Sequence, residues 1–221
     1  MTIAERLATV RSRINDAVRA CGRDSRDVHL IAVSKKHPKE AIAEAYAAGQ
    51  RAFGENYAQE FAAKAEALAD LVGIEWHFIG HLQTNKVKLL TRCQVVHTVD
   101  SLRIAEVLAK RARGNSMRAF VEVNLGGETS KSGCPKESVA AIVDYLRGAP
   151  GLSFAGLMTM PPPGDLRRAS EIFARLQQLA RAIQGPKETI ELSIGMSEDL
   201  EVAIAHGATH VRVGTAIFGL R

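Results

Sequence analysis

The chain has 221 residues, of which 46% are hydrophobic and 24% charged, the balance of an ordinary globular protein rather than a disordered or fibrous one. Its length allows a core without disulfide or metal staples. The formal net charge of +5 is carried by scattered Lys and Arg, and aromatics are only 5%, so a base-stacking nucleic-acid platform is not expected; the charge reads first as a solvated basic surface, with an anionic small ligand as the next reading.

Residues 3–20 repeat apolar positions at helical spacing (Ile3, Leu7, Val10, Ile14, Ala17, Val18) and predict an opening helix. Residues 28–34 form a β-branched apolar run of strand length, and Pro38 opens a helix that ends at Gly49. A brief strand over 51–54 precedes an alanine-rich helix over 57–72. A third strand spans 75–80 and a short helix 84–91. The fourth strand covers 95–99, and Asp100 or Ser101 can cap a helix running to Arg113. The fifth strand is 118–125, followed by a helix from Pro135 to about Arg147. The sixth is 152–158, and the turn Pro161-Pro162-Pro163-Gly164 leads into a helix over 166–183. A seventh strand over 189–194 precedes a helix starting at Ser197 or Glu198 and ending near Gly207. The eighth strand is 210–213, with a final helical turn over 215–220.

Strand then helix, eight times over, with short connections, predicts an all-parallel sheet. Eight units in about 195 residues match the lower end of a (β/α)8 TIM barrel, here with an extra N-terminal helix. The alternative is a doubly wound open sheet, which normally shows a Gly-rich turn after its first strand; here that turn is Ser34-Lys35-Lys36-His37-Pro38. No linker or composition shift interrupts residues 1–221, so one domain is expected. The three cysteines, Cys21, Cys93 and Cys134, include no CxxC pair, which argues against a disulfide framework and a cysteine-rich metal site and fits a reducing cytosol. No apolar run approaches the roughly 18 residues that span a bilayer, and the charged N-terminus has no signal core. A cytoplasmic protein without a membrane partner is expected.

In such a barrel the site forms at the C-terminal ends of the strands. Standing there are Lys35, Asn56, His81, Asn124 with Gly126-Gly127-Glu128, Met158 with Met160, Gly195-Met196-Ser197 and Arg212 with Gly214-Thr215. The loops after strands seven and eight each offer a glycine and a hydroxyl at a helix N-terminus, where exposed N–H groups and the helix dipole favour an anion. Taken singly, Ser197 and Thr215 also read as plain N-caps. Lys35 ends a strand of Leu30, Ile31, Ala32 and Val33; burial lowers a lysine's pKa, and a neutral amine can form a Schiff base with an aldehyde. If Lys35 points inward, so do Val33 and Ile31, while Lys36 faces out; the bland alternative is that both lysines snorkel at the rim.

A phosphate cradle opposite a strand-end lysine suits pyridoxal 5′-phosphate, held as a covalent aldimine on Lys35. Taken alone, Arg212 reads equally as half of a surface ion pair; as a residue that stays protonated, it is a candidate to donate to the pyridine nitrogen. That bond leaves the nitrogen unprotonated and the ring a weak electron sink. No metal site is expected: His77 and His81, or His206 and His210, are four apart but not on one helix face. Asp199 and Glu201 are expected to serve the dipole of their helix.

The segments Ala32-Val33-Ser34-Lys35, Phe53-Gly54-Glu55-Asn56-Tyr57, Trp76-His77-Phe78-Ile79-Gly80 with Leu82-Gln83-Thr84-Asn85-Lys86, Gly156-Leu157-Met158, Leu192-Ser193-Ile194-Gly195-Met196-Ser197 and Val211-Arg212-Val213-Gly214-Thr215-Ala216-Ile217-Phe218-Gly219 resemble those of the pyridoxal phosphate homeostasis proteins of the YggS/PROSC type. The resemblance runs from the first strand to the C-terminus. It implies a monomeric barrel similar to the N-terminal domain of alanine racemases, with Lys35 forming the internal aldimine. Asn56 and Met158 would flank the cofactor, Ser193, Ser197, Gly214 and Thr215 would form the phosphate region, and Arg212 would meet the ring nitrogen. It further implies that the chain buffers or delivers the cofactor, with apo-enzymes as recipients, and so affects amino-acid and keto-acid balance without turnover of its own.

The residues argue in the same direction. A racemase needs two acid/base groups on opposite faces of the substrate carbon; Lys35 is one, and no second is evident. Tyr46 and Tyr145 fall in helix interiors, which leaves Tyr57. The chain ends directly after the eighth unit, with no room for the second domain that the resemblance assigns to racemases. An open, wet site suits release better than protected carbanion chemistry. The alternatives are a weak or specialised amino-acid racemase on the same site and a phosphosugar enzyme using Lys35.

Overall fold

The structure is a computed structural model that describes residues 1–112, 116–127 and 132–220. Its first helix, α1 (Ile3–Ala20), buries Leu7, Val10, Ile14 and Val18 along one stripe, the face a 3.6-residue period turns toward a core. A capping box starts it: the Thr2 hydroxyl accepts from the Glu5 N–H, and the Glu5 carboxylate accepts from the Thr2 N–H.

Eight strands follow: β1 (His29–Val33), β2 (Ala52–Glu55), β3 (Glu75–Phe78), β4 (Val95–Val99), β5 (Met117–Glu122), β6 (Leu152–Met158), β7 (Glu191–Ser193) and β8 (His210–Val213). They pair in parallel in chain order and β8 returns to β1, closing the barrel. The pairs Leu30↔Val211 and Ile31↔Arg212 rule out the open-sheet alternative. Around it lie α2 (Lys39–Ala47), α3 (Ala58–Ala67), α4 (Leu102–Arg111), α5 (Val139–Gly148), α6 (Leu166–Ile183), α7 (Leu200–Ala205) and α8 (Thr215–Phe218). Among the described residues, no helix is long and apolar enough to cross a membrane.

Several boundaries differ from those expected. The helix predicted over 57–72 ends at Ala67, and the chain then turns through Gly73 (φ 81°) to enter β3. The helix expected over 84–91 is a 3-10 turn, Thr84–Leu89, and the one from Pro135 opens as another, Lys136–Ser138. Arg113, the expected end of the fourth helix, lies outside the described residues. The last unit supplies only one helical turn. α1 fills the place an eighth helix would take, packing on α7, α8 and α2.

Alternate residues of each strand face opposite sides of the wall. Ala32, Phe53, Trp76, Phe78, Val96, Ala119, Val121, Leu157, Val211 and Val213 join the helices' apolar faces in the main core. Phe53, Phe61, Phe78 and Phe173 are fully buried there, each contributing about 1.5–3 kcal/mol by leaving water. The barrel interior is different. A small cluster of Val95, Phe120, Ala155 and Met158 shares it with buried His77, His97, His210, Ser193 and Arg212, rather than the branched aliphatic layers that usually fill such barrels.

The imidazoles are linked. His77 Nδ1 lies 2.8 Å from His97 Nε2, and His97 Nδ1 lies 2.8 Å from Ser193 Oγ. The His97 ring stacks on Phe120 with centroids 4.5 Å apart. Burial pushes His97 and His210 well below the ordinary histidine pKa of 6.5, and His77 below it too. These rings are therefore neutral in the fold at neutral pH. The unfolded chain's histidines take up protons as pH falls through about 6.5, so below that value the unfolded state binds more protons. The histidine contribution to stability is thus present above about pH 6.5 and lost as pH falls. We expect the calorimetric unfolding midpoint to drop between about pH 7 and pH 5, and less steeply for His97→Gln. Parallel pH profiles for the two proteins would contradict a neutral, buried His97.

Candidate functional site

The C-terminal ends of the strands surround a cavity of about 550 Å³, within the usual range for small-molecule sites. Six of the eight residues predicted for the site line it: Lys35, Asn56, Ser197, Arg212, Gly214 and Thr215. Val33 lines it as well, so Val33 and Lys35 share the inward parity expected of them. Lys35 is half-buried in the turn that follows β1. Lys36 turns away. Its backbone takes a left-handed φ of 62°, and its Nζ lies 5.9 Å from the centre of the Tyr57 ring.

Asn56 directly follows β2, and its Oδ1 is buried without a hydrogen-bond partner. Gly80 makes that placement possible, because a Cβ there would sit 1.9 Å from the Asn56 carbonyl oxygen. On the far side, Gly195 has φ 96°, and its Cβ would lie 2.6 Å from that of Ala203; only glycine meets both conditions. The chain does not pass straight into a helix at Ser197 or Glu198. The Asp199 carboxylate accepts the Met196 N–H at 2.6 Å, which holds a turn, and α7 starts only at Leu200. Thr215 is the first residue of α8, whose cap is Gly214. Neither residue is therefore a helix cap, and both line the cavity. α1 fixes this loop from outside: Arg13 donates to the Ser197 carbonyl at 3.0 Å and grips Glu201 with two bonds. Glu201 thus anchors α1 as well as standing in the first turn of α7.

Arg212 is 4% exposed, not a surface residue. Its NH1 donates to the Ser193 carbonyl and hydroxyl, both at 2.6 Å, and NH2 to the Thr159 carbonyl at 3.3 Å. Burial pulls its pKa down to about 10, opposed by Asp199 and Glu122; that is still far enough above neutrality to keep the guanidinium charged. Three bonded donors and a rigid planar head present one edge of a cation to the cavity.

Two predicted residues are elsewhere. Ser193 is fully buried beneath the cavity, where its hydroxyl receives Arg212 and meets His97; its place is under the guanidinium. Met158 is fully buried with Val95, Phe120 and Ala155, and Met160, on the next turn of chain, lines the cavity instead. In the sequence either methionine could line or fill, and the structure divides the two roles. Glu128 lies outside the described residues. Two groups were missed: His97, whose signal is a histidine at an inward strand position, and Lys64, whose signal is a lysine on the buried stripe of α3 between Phe61 and Ala65.

Residues 6–221 match the model of the alanine racemase N-terminal domain family. The chain is 46% identical to the pyridoxal phosphate homeostasis protein of Pseudomonas aeruginosa, over 100% of this chain and 96% of that one. It is 42% identical to the protein of that name from Aquifex aeolicus, over 100% and 99%. This chain belongs to the pyridoxal phosphate homeostasis protein family. Among solved structures it superposes on PipY of Synechococcus elongatus with pyridoxal phosphate bound, at TM-score 0.86 and 39% identity, covering 99% of this chain and 100% of that one. Alanine racemase of Corynebacterium glutamicum, at TM-score 0.69, 20% identity and coverage of 99% and 61%, shares the fold alone. A family member built this way depends on Ser193 to seat its buried arginine. Ser193→Ala leaves an Arg212 donor and His97 Nδ1 unpaired, and we expect a loss of about 1–3 kcal/mol, measured by urea unfolding; an unchanged midpoint would show that the Ser193 carbonyl suffices.

Proposed function

We propose that this chain binds pyridoxal 5′-phosphate covalently through Lys35 and serves its homeostasis, holding and releasing the cofactor for apo-enzymes rather than turning over a substrate. The observation that carries this reading is a single cavity into which a strand-end lysine, a buried arginine and two hydroxyl-bearing loops all open. The donor set fits the group: an amine for the aldehyde, a permanent cation for the ring nitrogen, and hydroxyls with first-turn N–H groups of α8 for the phosphate. Asn56, an amide able to accept or to donate, has a buried oxygen to satisfy at the same wall. The cofactor's chemistry is that of an aldehyde: a lysine nitrogen bonds to its carbon and one water leaves.

Each residue then has a task. Lys35 supplies the nucleophilic nitrogen. Ser197, Gly214 and Thr215 hold the phosphate at the closing seam of the barrel. Arg212, itself fixed by Ser193, keeps a proton on its own nitrogen and donates toward the ring, which leaves the ring nitrogen unprotonated and the site poorly suited to carbanion chemistry. Among the described residues, no paired acid/base lines the cavity opposite Lys35. Of the other ionisable residues lining the cavity, Asp165 caps α6 and Asp199 receives the Met196 N–H, while Glu198 is exposed. Tyr57 lies over Lys36 and is not part of the wall. This favours a holding protein over an amino-acid racemase.

The test is an absorption titration of wild type and Lys35→Ala with pyridoxal phosphate, followed by borohydride reduction and mass mapping. The expected outcome is a visible band lost in the variant and a tag on Lys35. Ser197→Ala and Thr215→Ala should each weaken binding by about 1–3 kcal/mol. No band in the wild type would sink the reading, and unchanged affinity in both alanine variants would move the phosphate elsewhere.

A further inference from the structure

Outside the cavity, on the helix side of the sheet, a buried ionic cluster grips the backbone on both sides of Lys35. Glu55, the last residue of β2, is fully buried and faces α3. Its Oε1 accepts the Ser34 hydroxyl at 2.7 Å and the Lys64 ammonium at 2.7 Å. Lys64, 8% exposed, donates also to the Ser34 carbonyl at 2.8 Å and to Glu60 Oε1 at 2.7 Å. The same Glu60 oxygen accepts the Lys36 N–H at 2.6 Å. Ser34 is held further by its N–H to the Gly54 carbonyl and by the His37 N–H to its own carbonyl, both 3.0 Å.

All three N–H bonds of the Lys64 ammonium are thus assigned, two to carboxylates and one to the carbonyl just before Lys35. Burying these charges is costly before their attraction is counted, and apolar residues of similar volume often serve stability as well or better. Packing alone does not call for a lysine here. The left-handed backbone at Lys36 (φ 62°) is strained for a residue with a Cβ, and the Glu60 bond holds it.

We propose that Lys64, acting with Glu55 and Glu60, is the positioning residue for Lys35: by fixing Ser34 before it and Lys36 after it, the cluster directs Lys35 into the cavity and turns Lys36 out. Lys35 and Lys36 are adjacent amines of the same kind, so chemistry does not choose between them. The backbone between the two clamped residues does. This inference rests on the reading of Lys35 as the cofactor's anchor.

The experiment follows growth of the visible band after the full chain is mixed with pyridoxal phosphate, then traps the product with borohydride and divides the tag between Lys35 and Lys36. Glu60→Ala releases the Lys36 N–H. The expected result is band formation slower by about tenfold, as for displaced reacting groups, with part of the tag moved to Lys36. Glu60→Gln keeps an oxygen acceptor and should restore both the rate and the tag on Lys35. Lys64→Met should behave as Glu60→Ala, with circular dichroism confirming the fold; Glu60, with a side chain 24% exposed, carries the test if Lys64→Met does not fold. A wild-type rate and a tag wholly on Lys35 in Glu60→Ala would overturn the positioning role. A wild type that forms no band would instead overturn the anchor reading beneath it.

Discussion

Closure of the sheet between β1 and β8 is the constraint from which the rest of this molecule follows. The pairs from His29↔His210 to Ala32↔Val213 join the first strand of the barrel to the last. The next step along both strands brings Gly214 against Val33, where a Cβ on Gly214 would lie 3.2 Å from the Val33 carbonyl oxygen. The turn that carries Lys35 and the loop that carries Thr215 therefore share one corner, although they come from opposite ends of the chain. Closure also leaves the sheet without an edge to protect, so short strands of three to seven residues suffice.

Two sets of buried polar groups stand on either side of the wall near that corner. Inside the barrel, a line runs from the Arg212 guanidinium through Ser193 to His97 and His77. Outside it, the Glu55–Lys64–Glu60 cluster reaches Ser34 and Lys36. Each set is expensive to bury, and its members bond one another while Glu55 Oε2 and His77 Nε2 keep no hydrogen-bond partner. Both touch the backbone or side chains that shape the cavity. Departure from an all-apolar core is concentrated where function asks for fixed geometry.

The peripheral helices serve the same end. α1 compensates for the single-turn α8 and, through Arg13, holds the loop bearing Ser197. In this way the N-terminal helix, which contributes nothing to the cavity wall, steadies one side of it. The glycines at 80 and 195 work by omission, letting the chain pass where any side chain would collide.

The sequence by itself determined the alternation of strands and helices, and with it the barrel, because apolar periodicity is local: α1, β4, β6, α6 and β8 lie where their patterns put them. It also marked Lys35, Arg212 and the two glycine-hydroxyl loops, since each is an odd residue type at the end of an apolar run. Tertiary structure alone decided the rest. Whether a residue at a strand's end faces the mouth or the floor depends on the stagger of the closed sheet, which no local pattern carries; hence Ser193 and Met158 lie beneath the cavity and Met160 lines it. Helix ends at Ala67 and Leu200 were set by turns and by the Asp199 carboxylate rather than by propensity. The partners of Lys64 come from a turn, a strand and its own helix, and only folding brings three such acceptors around one ammonium.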